Sequence, residues 1–114
     1  MKVVLLHPRN PDPPPVYFGA PYGLSLLGAI LKVKGVEVIG RDYTRFSQDD
    51  MLKDAGALVR SERPDLIGVS CQSSNRGAAV ALVRHIKGAN TKLPVVVGGP
   101  FAGTDPELVL RRTG

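Results

Sequence analysis

Four short apolar runs recur along the chain, each followed by a segment with helical spacing. Residues 2–6 (Lys2 then Val3, Val4, Leu5, Leu6) and residues 94–97 (Pro94 then Val95, Val96, Val97) lack polar alternation. Such runs fit strands covered on both faces, as in a parallel sheet between helices. Residues 36–42 alternate Val36, Val38 and Gly40 against Glu37, Ile39 and Arg41, the most polar of the four and so suited to a sheet edge. Residues 65–70 form the third strand. Between them, residues 22–34 carry Leu24, Leu27, Ile30 and Leu31 on one stripe, and Gly35 stops the helix. Residues 48–60 form a second helix, with Ser47 as its cap and Asp50 three residues on. A third helix is capped by Ser73 or Ser74, carries Ala79, Leu82, Val83 and Ile86, and stops at Gly88. A last short helix spans residues 106–112.

This β-α-β-α-β-α-β-α order with right-handed crossovers predicts a flavodoxin-like, doubly wound parallel sheet of order 2-1-3-4. A fifth strand, usual in that fold, is missing before Gly114, so residues 1–114 are expected to be one domain from a longer protein. Strand four would then offer an unpaired edge, and self-association through it is expected.

In open α/β sheets ligands bind at the carboxyl ends of the strands. Three segments converge there: residues 7–21, rich in proline, residues 70–74, and residues 98–104. Gly98 and Gly99 let backbone approach something large. Titratable groups are scarce: His7 and Asp12 in the first loop, Asp105 in the third. Tyr17, Phe18 and Tyr22 border the proline loop. No Ser/His/Asp set, paired carboxylate or Cys/His metal spacing is present, so this mouth is built to hold a ligand and not to transform one unaided. Neither a dinucleotide glycine fingerprint nor a P-loop occurs, and the acidic pair of a phosphoacceptor domain is replaced by His7-Pro8 and Ser70-Cys71.

Composition narrows the partners. Hydrophobic residues make up 43% and charged residues 22%, as in ordinary globular domains. The 15 basic residues give a net charge of +5, but only Arg111 and Arg112 are adjacent and no aromatics interleave with them, so no nucleic-acid role is expected. No stretch approaches a membrane span, and Met1 to Leu6 lacks the features of a signal peptide, which predicts a cytoplasmic protein. Cys71, the single cysteine, reads as a small buried hydrophobe.

Five pieces in order carry a family resemblance: Val3-Val-Leu-Leu-His-Pro8, Pro21-Tyr-Gly-Leu24, Gly35-Val-Glu-Val38, Arg63-Pro-Asp-Leu-Ile-Gly-Val-Ser70 and Pro94-Val-Val-Val-Gly-Gly-Pro100. Along essentially its whole length the chain resembles the amino-terminal cobalamin-binding domain of class B radical SAM proteins. These include cobalamin-dependent methyltransferases and the anaerobic magnesium-protoporphyrin monomethyl ester cyclases. The resemblance implies a corrinoid across the carboxyl end of the sheet, its dimethylbenzimidazole tail beside strands three and four. Ser70 matches the family's serine, and Gly98 and Gly99 match its paired glycines. Gln72 and Ser73, Pro100 and Phe101, and Pro8, Tyr22 and Gly23 complete the implied cofactor-binding set. Phe101 departs from the histidine that often follows Gly-Gly-Pro. The cobalt-ligating Asp-x-His-x-x-Gly motif is absent, which implies base-off cobalamin without a protein histidine ligand. The Cys-x-x-x-Cys-x-x-Cys motif for an iron-sulfur cluster and S-adenosylmethionine is also absent, so that chemistry would reside in a downstream radical SAM domain. The alternative is a flavodoxin-like regulatory or interaction domain without a cofactor.

Overall fold

The computed structural model describes residues 1–11 and 22–99. Four parallel strands, β1 (Lys2–His7), β2 (Glu37–Asp42), β3 (Leu66–Ser70) and β4 (Val95–Gly98), lie in the order β2-β1-β3-β4. Among the described residues the α-helices are α1 (Tyr22–Val33), α2 (Gln48–Glu62) and α3 (Arg76–Ala89). The expected order and the α/β flavodoxin-like class are what the molecule has. The short helix expected over residues 106–112 lies outside the described residues.

The apolar runs work because alternate residues serve opposite faces. Val4 and Leu6 of β1 join Ile67 and Val69 of β3 under Met51, Ala55 and Leu58 of α2 and Leu82, Val83 and Ile86 of α3, all buried. The opposite face carries Leu5, against which α1 packs. Gly28 brings α1 close: a Cβ there would sit 3.6 Å from Val38 Cγ1 and 3.7 Å from Leu5 Cδ1. This corrects the expected stripe of α1. Leu24 and Leu31 are half-buried, but Leu27 and Ile30 are 43% and 46% exposed. The helix is apolar nearly all round, so its pattern did not single out the face that the small Gly28 selects.

The helix ends follow their local chemistry. Gly35, at φ 84°, donates its N–H to the Lys32 carbonyl, and Val36 donates to Leu31, each at 3.0 Å. That paired closure needs a left-handed residue, which glycine supplies without a Cβ penalty. Ser47 Oγ accepts from the Asp50 N–H at 3.1 Å, as its sequence position predicts. The start of α3 differs from expectation. A short 3₁₀ turn (Ser73–Asn75) precedes it, and Asn75, not a serine, stands at the cap position. Among the described residues no helix is long and apolar enough to cross a membrane.

Candidate functional site

Parallel strands deliver their carboxyl ends to one rim, and here β1, β3 and β4 end at His7, Ser70 and Gly98. Ser70 lies opposite Gly98 in the sheet register. One residue further on, the Cys71 N–H donates to the Gly98 carbonyl at 2.7 Å, which extends the pairing past the last ladder residues. Gly99 then turns away at φ 99°, so close to β3 that a Cβ would lie 2.7 Å from the Cys71 carbonyl oxygen and 3.0 Å from its nitrogen. Gly98 is the reverse. It is exposed, and a Cβ there would meet nothing within 4 Å. The two glycines thus do different jobs. Gly99 makes the corner, and Gly98 leaves a bare strand end beside open space.

The turn after β3 is held from within. Gln72 donates its backbone N–H to Asn75 Oδ1 at 2.7 Å, and the Asn75 N–H returns to the Gln72 carbonyl at 3.2 Å. Asn75 is buried, at 2% exposed, and sequence reasoning gave it no role. Its signal was a lone amide after two serines and directly before a helix, a setting where local side-chain bonds to backbone are favoured. Gln72 itself is exposed and Ser70 half-buried, both at the rim. Cys71 is fully buried, as expected, and burial pushes its thiol pKa up, away from the reactive thiolate.

On the β1 side the chain is pinned to the turn after β2. Tyr43 donates its N–H to the His7 carbonyl at 2.9 Å, Asn10 to Thr44 at 3.1 Å, and Arg9 Nε reaches the Phe46 carbonyl at 2.8 Å. Thr44 in turn donates its N–H to Asp42 Oδ1 at 3.0 Å. The proline loop therefore leaves from a fixed base, a feature of residues 42–46 that sequence reasoning missed. Pro8 is fully buried in that base, so it supports the rim without presenting a surface.

His7 is the unusual group. Its side chain is buried, and Nδ1 has no hydrogen-bond partner. A buried polar nitrogen without a partner is costly and calls for an explanation. Burial lowers its pKa below the ordinary histidine value, against an opposing pull from the Asp42 carboxylate, so the imidazole is neutral at pH 7. Among the described residues no group of three His, Cys, Asp or Glu side chains is placed to hold a metal ion.

Of the residues expected at the site, Ser70, Gln72, Gly98 and Gly99 come together at the adjoining ends of β3 and β4. Ser73 opens the 3₁₀ turn beside them. Tyr22 and Gly23 begin α1, and Gly23 is exposed. Pro100 and Phe101 lie outside the described residues, as do Asp12, Tyr17, Phe18 and Asp105.

The family model for the B12 binding domain matches residues 15–114. The chain is 32% identical over 113 residues to a tryptophan 2-C-methyltransferase of Streptomyces laurentii, covering 91% of this chain and 18% of the relative. It is 27% identical over 97 residues to an uncharacterized methyltransferase of Pyrococcus horikoshii, covering 82% of this chain and 20% of the relative. The chain thus spans about a fifth of the length of these curated relatives. No solved structure matches it.

Proposed function

Because this chain belongs to the B12-binding domain family, we propose that it holds a cobalamin, base-off, across the carboxyl ends of its strands and presents it to a radical SAM catalytic domain of a cytoplasmic parent enzyme. The observation that carries this reading is the pair of glycines at the end of β4, one forming the corner against Cys71 and the other bordering open space. A large, flat ligand with a nucleotide tail needs such a side-chain-free approach. The residues present fit the group. Ser70 and Gln72 offer polar side chains at the adjoining end of β3, and Gly98 offers backbone. Tyr22, Gly23, Ser73, Gly99, Pro100, Phe101 and Pro8 belong to the same proposed cofactor-binding set by sequence position.

Bound cobalamin would supply a cobalt centre suited to methyl transfer or to tetrapyrrole ring-forming chemistry. The work of this chain is to bind, orient and shield. Its sequence has a single cysteine and no Cys-x-x-x-Cys-x-x-Cys motif, so in this reading the iron-sulfur cluster and S-adenosylmethionine belong to the radical SAM domain. The names of both relatives as methyltransferases favour methyl transfer.

His7 bears on the cobalt ligand. Its Nδ1 is buried without a partner, and the residues around it do not form the Asp-x-His-x-x-Gly motif. Both support a cobalamin held without a histidine ligand from this chain. Reconstitution tests both halves of the reading. The purified protein should take up cobalamin, turn red, and give a base-off absorption spectrum that His7→Ala leaves unchanged in type. No uptake by the folded protein would return the chain to a domain without a cofactor. A change of cobalt spectrum in His7→Ala would make His7 the ligand.

A further inference from the structure

A cavity lies at the foot of the sheet, the opposite end of the strands from Gly98. The carboxyl-terminal halves of α2 and α3, the turn into β3 and the connection into β4 enclose about 580 Å³. That volume is in the range of small-molecule sites. Val59, Ile86 and Leu93 give it an apolar wall, and Leu93 and Ile86 also belong to the core. Arg60, Arg63 and His85 line it as well. Arg60 Nη1 and His85 Nε2 both hang over Gly56: a Cβ at that glycine would lie 3.3 Å from each. Gly56 is thus the gap that lets two nitrogen-bearing side chains from different helices converge.

These groups have no protein anion to answer them. Among the described residues Arg60, Arg63 and His85 make no side-chain hydrogen bond or ion pair, whereas Arg41 pairs with Asp54 and Arg9 binds a carbonyl. The acids nearest in sequence are committed elsewhere: Glu62 Oε2 lies 3.0 Å from Lys2 Nζ, and Asp65 Oδ2 accepts from the Lys2 backbone N–H at 2.7 Å. A basic residue in a helix's last turn ordinarily offsets the dipole there. That accounts for Arg60 in α2 and Lys87 in α3, and Lys87 also donates to the carbonyls of Thr91 and Leu93 beyond the helix. It leaves the side chains of Arg63 and His85 without a partner among the described residues. The backbone of Arg63 is the left-handed C-cap of α2, φ 48°, its N–H donating to the Val59 carbonyl at 3.1 Å, and this stop sets its side chain along the cavity.

We propose that this cavity is a second binding site, for a small organic carboxylate with an apolar body. The apolar wall would take the body, and the guanidinium groups of Arg60 and Arg63 would grip the head in the planar fork geometry that suits a carboxylate. The carbonyl ends of two helices lie close by and repel negative charge, which favours a monoanionic carboxylate over a dianionic phosphate. The site does not depend on cobalamin, and its position below the sheet keeps the two separable.

Titration of the protein with 2-naphthoate, followed by two-dimensional amide NMR, tests it. Saturable shifts should centre on residues 56–64 and 85–93 and leave Ser70, Cys71 and Gly98 unmoved. Arg60→Gln/Arg63→Gln, which removes two exposed side chains without bonds to the fold, should weaken binding about tenfold or more, or about 1.4 kcal/mol. The neutral 2-naphthalenemethanol should bind at least about tenfold more weakly than the acid. Shifts centred on the Gly98 end, affinity unchanged in the double variant, or equal binding of the alcohol would each overturn the proposal. So would tighter binding of an acidic peptide than of naphthoate, which would make the cavity a protein contact.

Discussion

Gly98 and Gly99 are neighbours of one type, yet their replacement should fail in different ways, and the difference tests the site. At Gly99 alanine meets two obstacles. A non-glycine residue at φ 99° costs about 1–3 kcal/mol of backbone strain. Its Cβ would also stand 2.7 Å from the Cys71 carbonyl oxygen and 3.0 Å from the Cys71 nitrogen. Those atoms are backbone, and the Cys71 N–H is tied to the Gly98 carbonyl at 2.7 Å, so neither can swing aside. Overpacking of this kind adds about 1–3 kcal/mol. A loss of at least about 2 kcal/mol is therefore expected, a large share of the roughly 5–15 kcal/mol that holds a domain folded.

At Gly98 the folded chain opposes nothing. No atom lies within 4 Å of an added Cβ, and its φ is not in the left-handed range. Gly98→Ala should be neutral or gain up to about 1 kcal/mol through the unfolded chain, and valine suits a strand. Urea unfolding read by circular dichroism should then show Gly99→Ala with a midpoint lowered on the order of 1 M. Gly98→Ala and Gly98→Val should stay at or above the parent. Cobalamin uptake by the folded Gly98→Val protein should be lost, because the branched side chain occupies the space the ligand needs. Wild-type stability in Gly99→Ala would refute the corner argument. Wild-type uptake in Gly98→Val would move the ligand off this strand end, and because that variant stays folded, the result cannot be blamed on unfolding.

Two further outcomes follow from the same rim and its sheet. His7 has its pKa lowered on folding, so the unfolded state binds the extra proton first. Its contribution is intact above the ordinary value of 6.5 and is lost as pH falls from there through the lower folded value. Urea midpoints between pH 7.5 and 5 should therefore fall more steeply for the parent than for His7→Gln, and parallel profiles would refute the assignment. β4 pairs only with β3 among the described residues, and Val96 is 56% exposed, so edge-to-edge association through β4 is expected. Sedimentation should show a dimer that Val96→Lys disperses, and a clean monomer of the parent at high concentration would end that idea.

The fold was legible because its pattern is redundant. Each apolar run is short, each is followed by helical spacing, and Gly35 and Ser47 mark helix ends by chemistry that needs no tertiary partner. Packing choices were less visible. The inner face of α1 could not be read from a helix with leucines on all sides, since the decision rests on Gly28 meeting Val38 and Leu5 across more than twenty residues of sequence separation for Leu5. Likewise Gly68 admits Leu5, whose Cδ2 would stand 2.8 Å from a Cβ there, and only the register of β1 on β3 reveals it.

The site divides along the same line. Backbone requirements are written in residue type, so the glycine pair and the small polar residues after β3 pointed to the rim at once. What sequence could not do was separate the two glycines, because the distinction lies in what each faces: the Cys71 backbone for Gly99, open space for Gly98. Nor could it find the base beneath the rim, where the Tyr43 and Asn10 N–H groups and the Arg9 guanidinium make bonds between β1 and the turn after β2. Those bonds fix where the proline loop departs, next to the buried His7, whose Nδ1 is neither solvated nor bonded. In the proposed site the close contact and the left-handed backbone fall on Gly99, which holds the corner against Cys71, whereas the exposed Gly98 borders open space. Substitution at Gly98 should then change binding without lowering stability, and at Gly99 it should change both.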